Sequence, residues 1–159
     1  MTDVVSAAVR SRMMAGIKGR NTRPELLIRS LLHKRGFRFR LHDRALPGKP
    51  DLVFRKYKAV IFIQGCFWHG HKCHLFKWPA TREKFWRTKI GINKKNDRKN
   101  HEQLMKQGWR VLDIWECALK GVGRRTTENI AMLVTGYLKS GARYQEIKGI
   151  LEKPERNRA

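Results

Sequence analysis

Cys66, His71 and Cys73 fall within eight residues of one another, in the segment Gly65-Cys66-Phe67-Trp68-His69-Gly70-His71-Lys72-Cys73-His74, and the chain has a single further cysteine, Cys117. Three thiolates and one imidazole fill the tetrahedral sphere of Zn²⁺ and leave no open position, which is the make-up of a structural rather than a catalytic zinc site. Cys117 follows a predicted strand ending at Trp115, so such a site would clamp the loop to that strand. The C-x4-H-x-C spacing is not a common finger pattern, and the competing reading is a buried, apolar Cys117 beside a surface cluster of histidines. His69 and His74 are surplus to a four-ligand set, which leaves one of them for other work.

Carboxylates are few: 13 Asp and Glu stand against 36 Lys and Arg, for a formal net charge of +23. Charge of that size disfavours compaction unless a polyanion neutralises it, so nucleic acid leads the candidate partners and a membrane surface comes second. An acid beside DNA is unfavourable unless a cation lies between them, and each such acid is therefore informative. Asp51 follows Pro50 and opens a predicted hairpin. With the turn centred at Tyr57, Asp51 pairs across from Ile63, and its carboxylate and the Ile63 carbonyl make half of an oxygen shell suited to Mg²⁺. Glu25, in the first turn of the preceding helix, reaches the same sheet edge. Taken alone, Glu25 is explained by a capping box and Asp51 by a turn after proline. Combined with His69, the two acids suit metal-assisted phosphodiester cleavage, in which held Mg²⁺ stabilises phosphate charge and a neutral histidine deprotonates or positions water. The thiols are already assigned to zinc, which disfavours a cysteine nucleophile. Neither a phosphate-cradling loop nor a dinucleotide fingerprint is present, which sets aside nucleotide hydrolysis and hydride transfer.

The elements that must position these groups alternate. Thr22-Arg23-Pro24-Glu25 opens a helix whose apolar face is Leu27, Ile28, Leu31 and Leu32 and which stops at Gly36. Phe37, Phe39 and Leu41 alternate with Arg38, Arg40 and His42 as a half-buried strand, and the runs 51–54 and 59–63 form the hairpin. A long basic helix is predicted over 81–107, interrupted at Gly91, then a buried strand over 110–115 and a closing helix over 126–138. This order predicts an α/β fold with a mixed sheet flanked by helices. Phe67 and Trp68 sit in a loop with no sheet face to bury against, beside the helix carrying Trp86 and eight Lys and Arg from Arg82 to Lys99. Basic groups there contact phosphates, and exposed aromatics stack on bases or wedge between steps. Phe85 reads as core-facing.

The 159 residues, 41% of them hydrophobic, predict one domain over 1–159, with a basic DNA-contacting arm over 1–21 and a flexible tail over 152–159. No apolar run of spanning length and no signal peptide is read, so a cytoplasmic, bacterial and nucleoid-associated location is expected, with no membrane partner.

Pro50-Asp51, VIFIQGCFWHGHKC (60–73), LFKWPATREKFW (75–86), KIGIN (89–93) and GWRVLDIWECAL (108–119) closely resemble the very-short-patch (Vsr) mismatch endonuclease family, over roughly three-quarters of the chain. The resemblance implies a restriction-endonuclease-like fold with a structural zinc. It implies a Mg²⁺-dependent enzyme that nicks double-stranded DNA beside T:G mismatches arising from deaminated 5-methylcytosine, acting as a monomer. Functional links to a cytosine-5 DNA methyltransferase and to a repair polymerase and ligase follow from it. It makes Asp51 and the Ile63 carbonyl Mg²⁺ ligands, Glu25 a partner of metal-bound water, His69 the water-activating histidine, and Cys66, His71, Cys73 and Cys117 the zinc ligands. Phe67, Trp68 and Trp86 match aromatics that enter the DNA stack, Lys89 and Asn93 match residues near the mismatched bases, and Met14 lies on an arm in the opposite groove. The chain departs at Ile63-Gln64, where the family usually has Thr-His. A ligand that is only a carbonyl tolerates the first change. The second puts a neutral amide among the catalytic groups, so rate or pH dependence should differ. Two rival readings follow: a mismatch-binding module with impaired catalysis, and a restriction-type nuclease without mismatch preference.

Overall fold

A computed structural model of the chain describes residues 21–150. The tail and nearly all of the predicted arm, with Met14, lie outside the described residues. The elements are α1 (Arg23–Lys34), β1 (Arg40–Leu41), β2 (Leu52–Phe54), β3 (Ala59–Gln64), α2 (Glu83–Lys106), β4 (Arg110–Trp115), α3 (Thr127–Lys139) and β5 (Tyr144–Ile147). The strands form one sheet in chain order, antiparallel from β1 to β3 and parallel from β3 to β5. This is the expected mixed sheet. No helix among the described residues is long and apolar enough to cross a membrane.

Period-two alternation divides the central strands between two cores. Ala59, Ile61, Leu112 and Ile114 face Ile28 and Leu32 of α1 and Ile130, Val134 and Leu138 of α3. Val60, Phe62 and Val111 face Leu104 of α2. Gln64 and Asp113 share the parity of this second set, so two polar side chains lie on the α2 face of the sheet and are buried there.

Four expectations are corrected. The hairpin pairs Leu52 with Ile61, Val53 with Val60 and Phe54 with Ala59, so its centre lies between Lys56 and Tyr57, and the ladder does not set Asp51 opposite Ile63. A 3₁₀ turn over Arg55–Tyr57, closed by Lys58 at φ 51°, shortens the loop and moves the register. The first strand shrinks to two residues: Phe37 and Phe39 pack on Phe54, while Leu41 is exposed and His42 turns inward at φ 46°. Helix α2 runs through Gly91 without a break, since one glycine costs about 1 kcal/mol and a 24-residue helix anchored by Ile90 and Leu104 absorbs it. Phe85 is 43% exposed rather than core-facing, with the Arg82 guanidinium 4.4 Å from its ring centre. Strand β5 was not anticipated, because Tyr144-Gln145-Glu146-Ile147 buries only Ile147 and carries no apolar alternation.

Arg110 locks the layers together. Its Nη1 donates to the carbonyls of Tyr137 (2.9 Å) and Ser140 (3.0 Å), and its Nη2 to those of Tyr57 and Leu138, both at 2.9 Å. The hairpin turn, β4 and the C-terminus of α3 are thereby joined by one guanidinium. Because charged donors to backbone carbonyls are worth about 1.5–3 kcal/mol, Arg110→Met should destabilise the fold by about 2–3 kcal/mol. Thermal unfolding checks this, with an expected fall in Tm of about 5–10 °C.

Candidate active site

An open cleft of about 900 Å³ lies at the ends of β2 and β3, lined by residues of α1, α2 and the intervening loops, among them Glu25, His42, Asp51, Ile63, Gln64, Trp68, His69, Asp97 and His101. Despite the shifted register, Asp51 and Ile63 do meet: Asp51 Oδ2 accepts the Ile63 N–H at 2.7 Å. Burial pushes the Asp51 carboxyl from its ordinary 3.8 up to about 7; the Ile63 N–H opposes the rise, and the neighbouring Glu25 adds to it.

Glu25 does more than cap α1. The Thr22 side chain accepts the Glu25 N–H at 3.4 Å, but the return bond of a capping box is absent. Glu25 Oε2 instead accepts the Asn21 N–H at 2.9 Å and Arg29 Nη2 at 3.0 Å. The side chain is buried and turned to the cleft, where ligand atoms of Glu25, His42 and Asp51 all lie within 4.8 Å of one another. His42 stands between the two acids, its Nε2 3.4 Å from Glu25 Oε2 and its Nδ1 3.7 Å from Asp51 Oδ1. Arg29 Nη2 lies 2.8 Å from His42 Nε2, and a guanidinium only donates, so Nε2 accepts and the ring proton sits on Nδ1, facing Asp51. A buried carboxylate and a partly buried one converging on one point suit a hard divalent cation that takes oxygen ligands.

His69, beyond the end of β3, turns its Nδ1 to Asp97 Oδ2 of α2 at 2.5 Å. A carboxylate on Nδ1 fixes the tautomer with the proton there and leaves the Nε2 lone pair free. Gln64 lines the cleft too, but its amide Nε2 donates to Asp113 Oδ1 at 3.2 Å within the sheet face.

The four sulfur and nitrogen groups converge as their spacing suggested. Ligand atoms of Cys66, His71, Cys73 and Cys117 lie within 4.8 Å of one another, and all three cysteines are free thiols. His71 Nδ1 is 3.6 Å from Cys66 Sγ and 3.6 Å from Cys117 Sγ. The S···N edge of a zinc tetrahedron with ordinary bond lengths is about 3.6 Å. The Cys117 N–H points at Cys66 Sγ and the Gly149 N–H at Cys117 Sγ, each at 3.3 Å. Burial pushes the Cys66 and Cys117 thiols up and the His71 imidazole down, which keeps the histidine neutral as a ligand must be. The donor set fits a thiophilic cation.

Phe67 and Trp68 are only half-buried, and the partners that cover them come from α2 and the following loop. Ring centres of Phe67 and Trp86 are 5.3 Å apart, those of Trp68 and Trp86 5.8 Å, and Phe76 stacks on Phe67 at 6.1 Å. Asn93 Nδ2 donates to the Trp68 carbonyl at 2.8 Å and so fixes the loop to α2. Gly70, at φ 61°, allows the close approach, since a Cβ there would stand 2.5 Å from Lys94 Cε. Lys89 is exposed on the same helix, as are Lys94, Lys95, Arg98 and Lys99.

Sequence reasoning missed His42, Asp97, His101 and Asp113. His42 looked like the outward member of an alternating strand, and Asp97 was one acid in a basic helix. The single available signal was Asp113, a carboxylate in the middle of an otherwise apolar strand.

The family model for "DNA mismatch endonuclease Vsr" matches residues 2–75. The chain is 50% identical over 128 residues to the DNA mismatch endonuclease Vsr of Escherichia coli (strain K12), a match spanning 80% of this chain and 82% of that protein. It is 45% identical over 123 residues to the type II nicking enzyme V.XorIIP of Xanthomonas oryzae, covering 77% of this chain and 90% of the relative. With the type II nicking enzyme V.NmeAIP of Neisseria meningitidis it shares 45% identity over 120 residues, covering 76% and 86%. The resemblance read from 50–51, 60–73 and 108–119 thus extends across most of the chain, and the protein belongs to the Vsr family of DNA mismatch endonucleases.

Proposed function

We propose that the chain is a Mg²⁺-dependent endonuclease that nicks double-stranded DNA beside T:G mismatches arising from deaminated 5-methylcytosine, so that the thymine strand is repaired. The observation that carries this reading is the convergence of Asp51, Glu25 and the His69–Asp97 pair on one cleft, next to the half-buried aromatic cluster. Asp51 and the Ile63 carbonyl would hold the divalent cation and Glu25 would bond its water, and the cation would supply charge stabilisation to the phosphate. His69 Nε2 takes the proton of the attacking water, and Asp97, as a positioning residue, holds the tautomer that makes this possible. Phe67, Trp68 and Trp86 enter the base stack, with Lys89 and Asn93 near the mismatch. Gln64 acts through its bond to Asp113 rather than as a titrating group.

The remainder of the reading is a restriction-endonuclease-like fold over a single domain, 1–159, with the arm that carries Met14 on the opposite groove and Zn²⁺ held by Cys66, His71, Cys73 and Cys117. Monomeric action in the cytoplasm, upstream of a polymerase and ligase and alongside a cytosine-5 methyltransferase, completes it.

A plasmid carrying one T:G pair should be nicked with Mg²⁺ while its T:A counterpart stays closed. Binding without a break would point to a mismatch-binding module, and equal cleavage to a nuclease without mismatch preference. Asp51→Asn should abolish nicking. A carboxyl whose folded pKa is raised from 3.8 to about 7 favours the fold below pH 3.8, and that advantage is lost as pH rises through about 7, on the order of 4 kcal/mol. In chelator at pH 8, Asp51→Asn should therefore melt higher than the wild type, with no difference near pH 3.5, and added Mg²⁺ should raise the Tm of the wild type alone. Cys117→Ser should lower the zinc content measured by metal analysis and depress Tm, because a closed structural site contributes folding free energy. Trp68→Ala should reduce the preference for T:G over T:A binding more than total affinity, which phosphate contacts dominate, as measured by competition binding.

A further inference from the structure

Asp113 is a carboxylate 2% exposed in the central sheet, and three side chains from three elements bond to it. Gln64 Nε2 of β3 and His101 Nε2 of α2 meet its Oδ1 at 3.2 and 3.3 Å, and the Tyr144 hydroxyl of β5 donates to its Oδ2 at 2.9 Å. A buried charge this well bonded orients its partners rigidly. His101 alone among them is an imidazole, and it lines the same cleft as Asp51 and His69. With Nε2 engaged by Asp113, Nδ1 is the nitrogen left to serve the cleft. Asp97, which holds His69, sits one helical turn before His101 on the same face of α2, so two His–Asp pairs flank one reaction space.

Resting on the nuclease reading above, we propose that His101 is the general acid of strand cleavage, delivering a proton to the departing sugar oxygen. Water adds to phosphorus and gives its proton to His69 Nε2; the bond from phosphorus to the sugar oxygen breaks, and that oxygen takes the proton from His101 Nδ1. His101 is left as neutral imidazole and His69 as imidazolium, and exchange with solvent resets both. Of the other imidazoles in the cleft, His69 is the base and His42 is engaged by Arg29 and the two acids. The groups facing His101 are Asp113 from β4, Tyr144 from β5, Gln64 from β3 through Asp113, and Asp97 from its own helix. Burial opposes its charge, yet the bond to Asp113 and the two carboxylates raise the imidazole above its ordinary 6.5, which favours the protonated form a donor needs.

The test uses the metal-loaded, full-length protein and two T:G duplexes, one natural and one with sulfur in place of the departing oxygen, since a thiolate leaves without a proton. His101→Gln keeps a donor for Asp113. Its single-turnover nicking of the natural duplex should fall by about 10²-fold or more and lose the alkaline limb of its pH profile, while nicking of the sulfur duplex stays within a few fold of wild type. Equal losses on both duplexes, or no loss on either, would overturn the assignment. If His101→Gln does not fold, His101→Asn on the same two duplexes decides in the same way. Wild-type protein that nicks neither duplex would instead remove the nuclease reading, and this assignment with it.

Discussion

A carboxylate withdrawn from water and set beside a second carboxylate is unfavourable unless something positive joins them, and the architecture around the cleft is organised by that conflict. Asp51 is held at the mouth of the hairpin by the Ile63 N–H, while Glu25 is held in place by the Asn21 N–H and Arg29. Neither side chain can swing away to relieve the repulsion. A chain of net charge +23 thus sets two carboxylates side by side in the cleft, one paired with Arg29 and the other with its carboxyl pushed up to about 7, an arrangement that suits a divalent cation.

The same logic runs through the neighbouring groups. Each imidazole lining the cleft is oriented by a partner: His42 by Arg29, His69 by Asp97, His101 by Asp113. Helix α2 carries two of these six residues on the cleft side and bears its exposed lysines and arginines elsewhere. One element thus carries both an exposed basic surface and side chains that hydrogen-bond into the cleft. Cys66 and His71 of the thiol and imidazole cluster bracket residues 67–70, and Asn93 of α2 holds the middle of that stretch through the Trp68 carbonyl. Trp68 and His69 occupy that stretch, where small displacements would move both the aromatic cluster and the His69 imidazole.

Much of this was legible in residue types and local periodicity. The Cys66, His71, Cys73 and Cys117 set could be assembled because ligand chemistry restricts which side chains belong together. The hairpin, β4, α1 and α3 follow from apolar patterning that depends on near neighbours alone. Capping at Thr22 and Thr126 is likewise local. The family motifs at 60–73 and 108–119 are contiguous and so survive in any linear reading.

What tertiary structure decided is every relation between segments distant in sequence. His42 joins the acids because a left-handed residue turns the chain inward after a two-residue strand, a conformation no alternation predicts. Asp97 and His101 acquire partners only when α2 is laid across one face of the sheet, and Asp113 becomes a hub only when β3, β4 and β5 are side by side. Sequence determines which groups can hold a cation, a proton or a base. Distances of about 3 Å between groups some 12 to 50 residues apart arise only from packing, because hydrogen bonds and desolvation depend on separation in space.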